Sequence, residues 1–550
     1  MLRRHQAQLD TIVRGMIERP ADNQALTDIV AHVTPGGGKS MLPIIMGRLI
    51  SAGLADAICW VVPRLTLQYQ AEGNFVDPVF RRMLRHNLSI RATTNETDPC
   101  RGLNGFVTTY QALATDNRHA LAAFAQCRYI LVLDEFHHVG VGSEWCGSIE
   151  ALYRAAKYRL LMTGTLERGD GGQIDFLPYR PVSDGMALPD LCDTPAMRVI
   201  RYSRADALRE GAIIPIRAIL HRGSAKWQAK DGRIYYFEDF SKAPPKHTGA
   251  AIYTAINTQF AEALLETGLN HWSEYRQKHR SAKCIVVAAN IELANQALDY
   301  IRRKRNLAAD VATSADTPEA KEAIRRFKAG SVKVLVGVAM FYEGFDCKEI
   351  SHLICLTNYR STPWIEQMIA RAVRVDPNIP YAGQYAYIFA PDDRHMREIL
   401  QSMEREQAHM ARCAGGDTGA EQLDLFEKRP AEGEPQRPVE PLGSTLDGYR
   451  EKTLGDAWAS SPDTVAAPAT PSEIEKALRN DIEMHVRIFS AHAGRTPYHL
   501  NRRLKEAFGK SRDAMTAPEL QRVKDHLIIN YRIDRTRRPP RRVSARQMGG

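Results

Sequence analysis

Paired cysteines are missing from this sequence. The nine cysteines, Cys59, Cys100, Cys127, Cys146, Cys192, Cys284, Cys347, Cys355 and Cys413, form no Cys-x-x-Cys pair and keep no regular spacing, which argues against a zinc ribbon and against a disulfide framework. Long apolar runs are missing as well. The N-terminal stretch Met1 to Asp10 is charged from Arg3 onward and holds no apolar core of signal-peptide length, and no later run approaches a membrane span. These absences predict a cytoplasmic protein with no membrane partner. Neither sign of charge dominates: 74 Lys and Arg against 64 Asp and Glu leave a formal net charge of +10, a modest excess that favours a polyanionic partner. At 550 residues the chain exceeds what a single hydrophobic core supports.

What is present is concentrated first in the stretch His32-Val33-Thr34-Pro35-Gly36-Gly37-Gly38-Lys39-Ser40. Consecutive glycines carry no Cβ, so their N–H groups can curl around phosphate oxygens. Lys39 then reaches the outer phosphates, and the Ser40 hydroxyl reaches a Mg²⁺ ion. Leu26 to Val33 is apolar and β-branched enough for a buried strand, and Met41 to Ile50 continues as an apolar helix. Strand, glycine loop and helix form the context that a nucleotide-binding loop requires. Val33 stands where the full pattern has Gly.

Upstream, Leu2-Arg3-Arg4-His5-Gln6 opens a helix, and the Gln6 amide has the donor and acceptor needed to read adenine, unless it lies on a solvated face. Downstream, strands over Ala57 to Val62 and Phe106 to Thr109 end in Pro63-Arg64-Leu65-Thr66 and Thr108-Thr109-Tyr110-Gln111. The carboxyl ends of strands are where ligands bind in an open α/β sheet. Arg64, Thr108 and Thr109 are therefore read either as contacts to a nucleic-acid backbone or as helix N-caps. Tyr129 to Leu133 is a near-continuous apolar run, the mark of a central parallel strand, and it ends in Asp134-Glu135-Phe136-His137-His138. Two acids there need a counter-charge. Nucleotide-bound Mg²⁺ supplies one, with Asp134 on the metal and Glu135 orienting or deprotonating the attacking water. A further strand, Tyr158 to Met162, ends in Thr163-Gly164-Thr165.

The second half repeats the alternation. Lys283 to Ala289, Val332 to Val338, His352 to Thr357 and Tyr385 to Ala390 read as strands between helices, which predicts a second parallel sheet. Arg371 and Arg374, three residues apart, are expected to share one helix face. Asp310 with Glu319-Ala320-Lys321 imitates a nuclease pattern, but Pro318 begins a helix there and the charges read as its solvated face. Trp227 to Phe240 is aromatic and charged, either a hairpin that touches nucleic acid or a packing flap.

The order of Gln6, Thr34 to Ser40, Asp134 to His137 and Thr163 to Thr165, followed by Phe341-Tyr342-Glu343-Gly344-Phe345-Asp346 and Gln367 to Arg374, resembles motifs Q, I, II, III, V and VI of superfamily 2 helicases of the DExH group. Asp170 to Gly172 and Gly211 to Pro215 are most similar to the restriction subunit of type III restriction enzymes and to RadD-like repair helicases, which act on DNA. The resemblance implies an α/β fold of two tandem RecA-like parallel-sheet domains, residues 1–215 and 216–412. It implies that Gln6, Thr34, Gly36, Gly37, Gly38, Lys39, Ser40, Gly344 and Asp346 hold ATP, and that Ser40 and Asp134 hold Mg²⁺. Lys39, Asp134 and Glu135 would act in hydrolysis with Arg371 and Arg374 from the second domain. The expected function is an ATP-dependent DNA helicase or translocase in replication, repair or restriction. An RNA helicase, or an ATP-switched DNA-binding subunit of a defence complex that does not unwind, are the alternatives. Ala370 replaces a usual Gly, and the common Thr-Asp pair before Glu343 is absent.

Residues 413–471 shift to Gly, Pro, Glu, Asp, Ser and Ala, which predicts a disordered linker. Within it, Gln422-Leu423-Asp424-Leu425-Phe426 matches the Gln-Leu-x-Leu-Phe peptide by which bacterial polymerases and repair proteins bind the sliding clamp. Gln422, Leu423, Leu425 and Phe426 are its candidate contacts, against the alternative of a short helix packing back on the motor. Residues 472–550 predict a small basic helical domain: Ser472 with Glu475 and Thr516 with Glu519 are capping boxes, and Thr496-Pro497 is an N-cap with an N1 proline. Arg502 and Arg503, with Lys505, Lys510, Arg512 and the Arg-rich tail, form a basic exterior suited to gripping phosphates without sequence preference.

Overall fold

A computed structural model describes residues 2–139, 144–166, 173–183, 186–313, 317–338, 347–413, 439–456, 459–460, 471–492 and 496–531. The first half forms β1 (Asp28–Val33), β2 (Ala57–Val62), β3 (Arg91–Ala92), β4 (Gly105–Thr109), β5 (Tyr129–Asp134), β6 (Tyr158–Thr163), an antiparallel pair β7 (Tyr179–Ser183) and β8 (Met186–Pro189), and β9 (Met197–Tyr202). All but β7 and β8 join one parallel sheet in the order β3-β4-β2-β5-β6-β1-β9. The reason is visible in composition: Ala-Ile-Cys-Trp-Val-Val of β2 is buried at every position, as is Tyr-Ile-Leu-Val-Leu of β5. Strands covered on both faces are stable only when apolar throughout.

The order fixes the site. The glycine-loop strand β1 and the acidic strand β5 are not neighbours; β6 lies between them, with His32 opposite Thr163 and Asp134 opposite Met162. All three strands run the same way, so their carboxyl ends deliver the glycine loop, Asp134-Glu135 and Thr163-Gly164-Thr165 to a single sheet edge.

The second half forms β10 (Ile216–Arg222), β11 (Ala225–Gln228), β12 (Ile234–Phe237), β13 (Lys283–Ala288), β14 (Ala309–Ala312), β15 (Val334–Val338), β16 (Ile350–Leu356), β17 (Ala386–Pro391), β18 (Glu440–Ser444), β19 (Gly448–Thr453) and β20 (Ala459–Ser460). A second sheet has the order β14-β15-β13-β16-β17-β10-β19-β20, parallel as far as β10 and antiparallel beyond it. Strands β12-β11-β18 make a small separate sheet. Asp310 lies in β14 and is ion-paired with Arg302 and Arg326, each at 3.1 Å, while Thr317 caps the helix Pro318–Ala329. The nuclease-like pattern is thus structural.

Two expectations are corrected. The stretch 413–471 is not linker throughout, because Glu440–Ser444, Gly448–Thr453 and Ala459–Ser460 are strands and β19 continues the second sheet. The residues Gln422 to Phe426 lie outside the described residues, as do Phe341 to Asp346 and Asp170 to Gly172. Arg371 and Arg374 do not share a helix face either. Their helix, Thr362–Ile369, ends before both, and Arg374 is bridged antiparallel to Ile213. The cause is tertiary: Ile214 N donates to Val373 O at 2.9 Å, and a backbone paired with Gly211-to-Pro215 chain cannot continue its own helical bonds.

Ahead of that helix, Arg360 is 9% exposed and donates to the fully buried Asp393 at 2.8 Å and to the carbonyls of Thr357 and Tyr359 at 2.7 and 2.8 Å. Asp393 also accepts from Met396 N at the start of the helix Arg394–Cys413. One buried ion pair therefore anchors the loop that leads into Arg371 and Arg374.

The chain divides into two compact units, the second comprising residues 226–236, 437–442 and 461–550. Its helices Pro471–His492, Pro497–Phe508 and Ala517–Asn530 surround a core of Ile482, Val486, Leu500, Leu504, Met515, Leu520, Val523 and Leu527. The capping box at Thr516 is formed, with Glu519 accepting from Thr516 N and Oγ1 at 3.0 Å.

Candidate active site

The glycine loop bends through backbone conformations that side chains resist. Gly36 and Gly38 have φ of 85° and 90°, in the left-handed region that residues with a Cβ rarely enter. Thr34 is buried and its N–H donates to Tyr202 O at 2.9 Å, and Gly37 N donates back to Thr34 O at 2.8 Å. Lys39 and Ser40 follow in a short 3₁₀ turn, Lys39–Met41, that starts the apolar helical segment Leu42–Met46.

Lys39 Nζ is ion-paired with Glu135 Oε1, and both side chains are largely buried, 13% and 16% exposed. Glu135 Oε2 accepts from Gly164 N at 3.1 Å and lies 3.4 Å from His137 Nδ1. His137 Nδ1 is also 2.9 Å from Thr163 Oγ1. Glu135 itself has φ of 49°, a conformation that costs a residue with a side chain of order 1–3 kcal/mol and clusters at functional sites. Burial alone raises its carboxyl pKa, but the Lys39 charge and the His137 hydrogen bond outweigh it and hold the group well below the usual carboxylate range. Asp134 ends β5 beside it, and its main-chain O accepts from Tyr110 Oη at 2.9 Å.

Gln6, 4% exposed, is brought to this loop rather than left on a solvated face. Its Nε2 donates to Gly38 O at 3.1 Å, and its Oε1 accepts from Arg3 N at 2.9 Å. Arg3 Nη1 donates to the carbonyls of Gly36 and Gly37. Reading the sequence missed Arg3, the extended residue just before the first helix, and no local signal marks it. From the second half, a Cβ placed on Gly36 would come within 3.1 Å of Ile213 Cγ2, 3.5 Å of Val373 Cγ2 and 4.0 Å of Arg374 Cδ. Arg374 thus reaches the glycine loop. Arg371 lies in the turn after the helix Thr362–Ile369. Gly344 and Asp346 are outside the described residues.

The nucleic-acid candidates are placed unevenly. Arg64 occupies the N-cap position of the helix Leu65–Val76, directly beyond β2. Thr109 takes the capping alternative: its hydroxyl accepts from Ala112 N at 3.1 Å, and the residue is buried. Thr108 is 1% exposed. Both threonines are buried at a strand end covered on both faces. Arg502 and Arg503 are exposed on the helix Pro497–Phe508, with Arg502 paired to Glu506 at 2.8 Å.

A glycine loop, an acidic strand tip separated from it by one strand, and an arginine from the turn after the helix Thr362–Ile369 together have the chemistry that a nucleoside triphosphate site requires. Residues 1–168 match the model of the type III restriction enzyme res subunit, and residues 262–376 match that of the helicase conserved C-terminal domain. Two separate segments of the chain thus match helicase-family models, the first of them the restriction-subunit model, and the chain spans about three-fifths of the length of the first curated relative it matches. It is 26% identical over 396 residues to "Uncharacterized protein Rv2917" of Mycobacterium tuberculosis, covering 70% of this chain and 61% of that one. It is 23% identical over 219 residues, 36% of this chain and 18% of that one, to the pre-mRNA-processing ATP-dependent RNA helicase PRP5 of Mycosarcoma maydis. Among solved structures, the Mycobacterium smegmatis helicase Lhr bound to ssDNA and AMP-PNP aligns with a TM-score of 0.44 at 14% identity, over 73% of this chain and 48% of that one. Among the described residues no helix is long and apolar enough to cross a membrane.

Proposed function

We propose that this protein is an ATP-dependent DNA helicase or translocase whose two sheets close on one nucleotide. The observation that carries the reading is the approach of Ile213, Val373 and Arg374 to Gly36, which sets an arginine from the segment after the helix Thr362–Ile369 beside the glycine loop. The left-handed glycines give the loop the backbone form whose N–H groups can cradle phosphates, and Lys39 follows directly, so the residues fit the substrate. Ser40 and Asp134 would hold Mg²⁺, which shields phosphate charge when bound.

Lys39 is the switch in this arrangement. Paired with Glu135, it keeps that carboxylate ionised and weakly basic. ATP phosphates compete for Lys39, and transfer of the lysine to them releases Glu135 to orient a water through a more basic carboxylate. The Glu135 bond to Gly164 N ties the same event to β6. Arg374 supplies positive charge to the phosphates as hydrolysis proceeds.

DNA is favoured by the restriction-subunit match over residues 1–168; RNA is the second reading, favoured by the likeness to an RNA helicase. Tethering to a sliding clamp through Gln422 to Phe426 would raise the local concentration of the motor at replication or repair sites. The test is ATP turnover with no nucleic acid, single-stranded DNA, duplex DNA, forked DNA and RNA, beside Lys39→Ala. Stimulation by DNA that disappears in Lys39→Ala is expected. Stimulation by RNA alone would transfer the protein to the second reading, and none by any polymer would end the motor proposal.

A further inference from the structure

Within the C-terminal helical unit a cavity of about 330 Å³ opens between the helices Pro471–His492 and Pro497–Phe508 and the turn that follows the latter. Its floor is apolar, formed by Leu504, Met515 and Val523. Two amides, Asn480 and Asn501, line its wall. At its rim stand Lys505, Lys510, Arg512 and Arg479, against only two acids, Glu483 and Asp513. The volume is at the small end of ligand sites, which run from roughly 300 to 1,000 Å³. It admits one nucleotide-sized group and excludes a duplex.

The cavity is held open by its own polar frame. Arg479 donates to the carbonyls of Arg512, Asp513 and Met515 at 3.2, 3.5 and 3.4 Å, which fixes the turn over the floor. Arg512 is paired with Glu483 at 3.0 Å and Lys510 with Glu519 at 2.8 Å, both partly solvated and therefore weak pairs that a phosphate can replace. One group is left over. Asn501 Oδ1 is buried without a hydrogen-bond partner among the described residues, a state that costs about 1–3 kcal/mol unless something fills it. The oxygen and nitrogen of an amide exchange by a flip, so the edge of Asn501 that lines the cavity is either an acceptor or a donor.

We propose that this cavity binds one nucleotide unit, its base on Leu504, Met515 and Val523, its edge on Asn480 and Asn501, and its phosphate on Lys505, Lys510 and Arg512. A nucleotide combines these features: a flat apolar face, a hydrogen-bonding edge with both donors and acceptors, and an anion at one end. The unit belongs to an unpaired strand or to a free nucleotide. The strand source rests on the motor reading given above; the cavity chemistry does not.

The full-length protein is titrated against fluorescein-labelled oligothymidylate by anisotropy, as wild type, Asn501→Leu and Lys505→Glu, with thymidine monophosphate as competitor. Asn501→Leu is expected to weaken strand binding five- to thirty-fold, within the range of losing one stacked and read base. Its melting temperature is expected to hold or rise, since an unsatisfied buried oxygen is removed. Lys505→Glu is expected to weaken binding and to flatten the slope of log affinity on log salt by at least about 0.7. Competition by the monophosphate would assign the site to free nucleotides as well; its absence would assign it to the strand. Wild-type affinity in both variants would overturn the inference and leave the motor reading intact. Failure of the wild type to bind the oligothymidylate would instead remove the strand source and leave the motor reading to the turnover test, and the cavity would then stand or fall on direct binding of the monophosphate.

Discussion

The glycine-loop edge and the basic helical unit both concentrate charge, but they handle it in opposite ways. At the loop, Lys39, Glu135, His137 and Gly164 N are close, largely buried and mutually bonded, so each group fixes the next. In the helical unit the charges are mostly exposed, and their pairs, such as Arg502 with Glu506, are 67% and 61% exposed and screened by water. In the proposed reading, function at the first region resides in individual atoms, whereas at the second it resides in the sum of charges. The Asn501 cavity is where the second region resembles the first.

Substitutions sharpen that contrast, beginning with the largest effect. Glu135→Gln keeps the shape and removes the base, and turnover is expected to fall about 10²–10⁴-fold in steady-state phosphate release while labelled nucleotide still binds. Arg360→Ala leaves the buried Asp393 carboxylate uncompensated and is expected to cost about 3–5 kcal/mol in denaturant unfolding. A cost below about 1 kcal/mol would show that the loop before Arg371 is not held by that pair. Gly38→Ala meets the flexible side-chain ends of Arg3, 2.9 Å away, and of Gln6, 3.2 Å away, so most of its cost comes from φ of 90°. It is expected at about 1–2 kcal/mol, read as a fall in nucleotide affinity or melting temperature. Arg502→Ala should change stability by less than about 0.5 kcal/mol. A large effect there would break the distinction between the two regions.

The parts that could be read in advance are those in which local pattern and burial agree. Ala57–Val62, Tyr129–Asp134 and Tyr158–Thr163 are apolar runs with a polar punctuation mark at the carboxyl end, and all fall where expected, within a residue. The third helix of the C-terminal unit follows the same logic, because Thr516 with Glu519 is a local signal; Thr496 takes the N-cap position of the second without a side-chain cap bond, and the first begins at Pro471, ahead of the expected Ser472 cap. What escaped depends on distant partners. Gly448–Thr453 is polar and carries no strand signature; it becomes β19 because β10 offers it an edge to pair with. The end of the helix Thr362–Ile369 was equally hidden, since Ala370 to Val373 are ordinary helix formers and only Ile213 and Ile214 divert them. Arg3 escaped because nothing in a charged N-terminal turn announces that it will reach the carbonyls of Gly36 and Gly37.

The central claim is that the second sheet completes the first sheet's nucleotide site. Arg374→Ala tests it most directly, with ATP turnover and nucleotide dissociation constant measured on the same preparation. A fall in turnover of about 10³-fold or more, the scale of an arginine finger, with nucleotide affinity nearly unchanged, is the predicted result. Turnover equal to wild type would contradict the account, because the contact at Gly36 would then be packing alone.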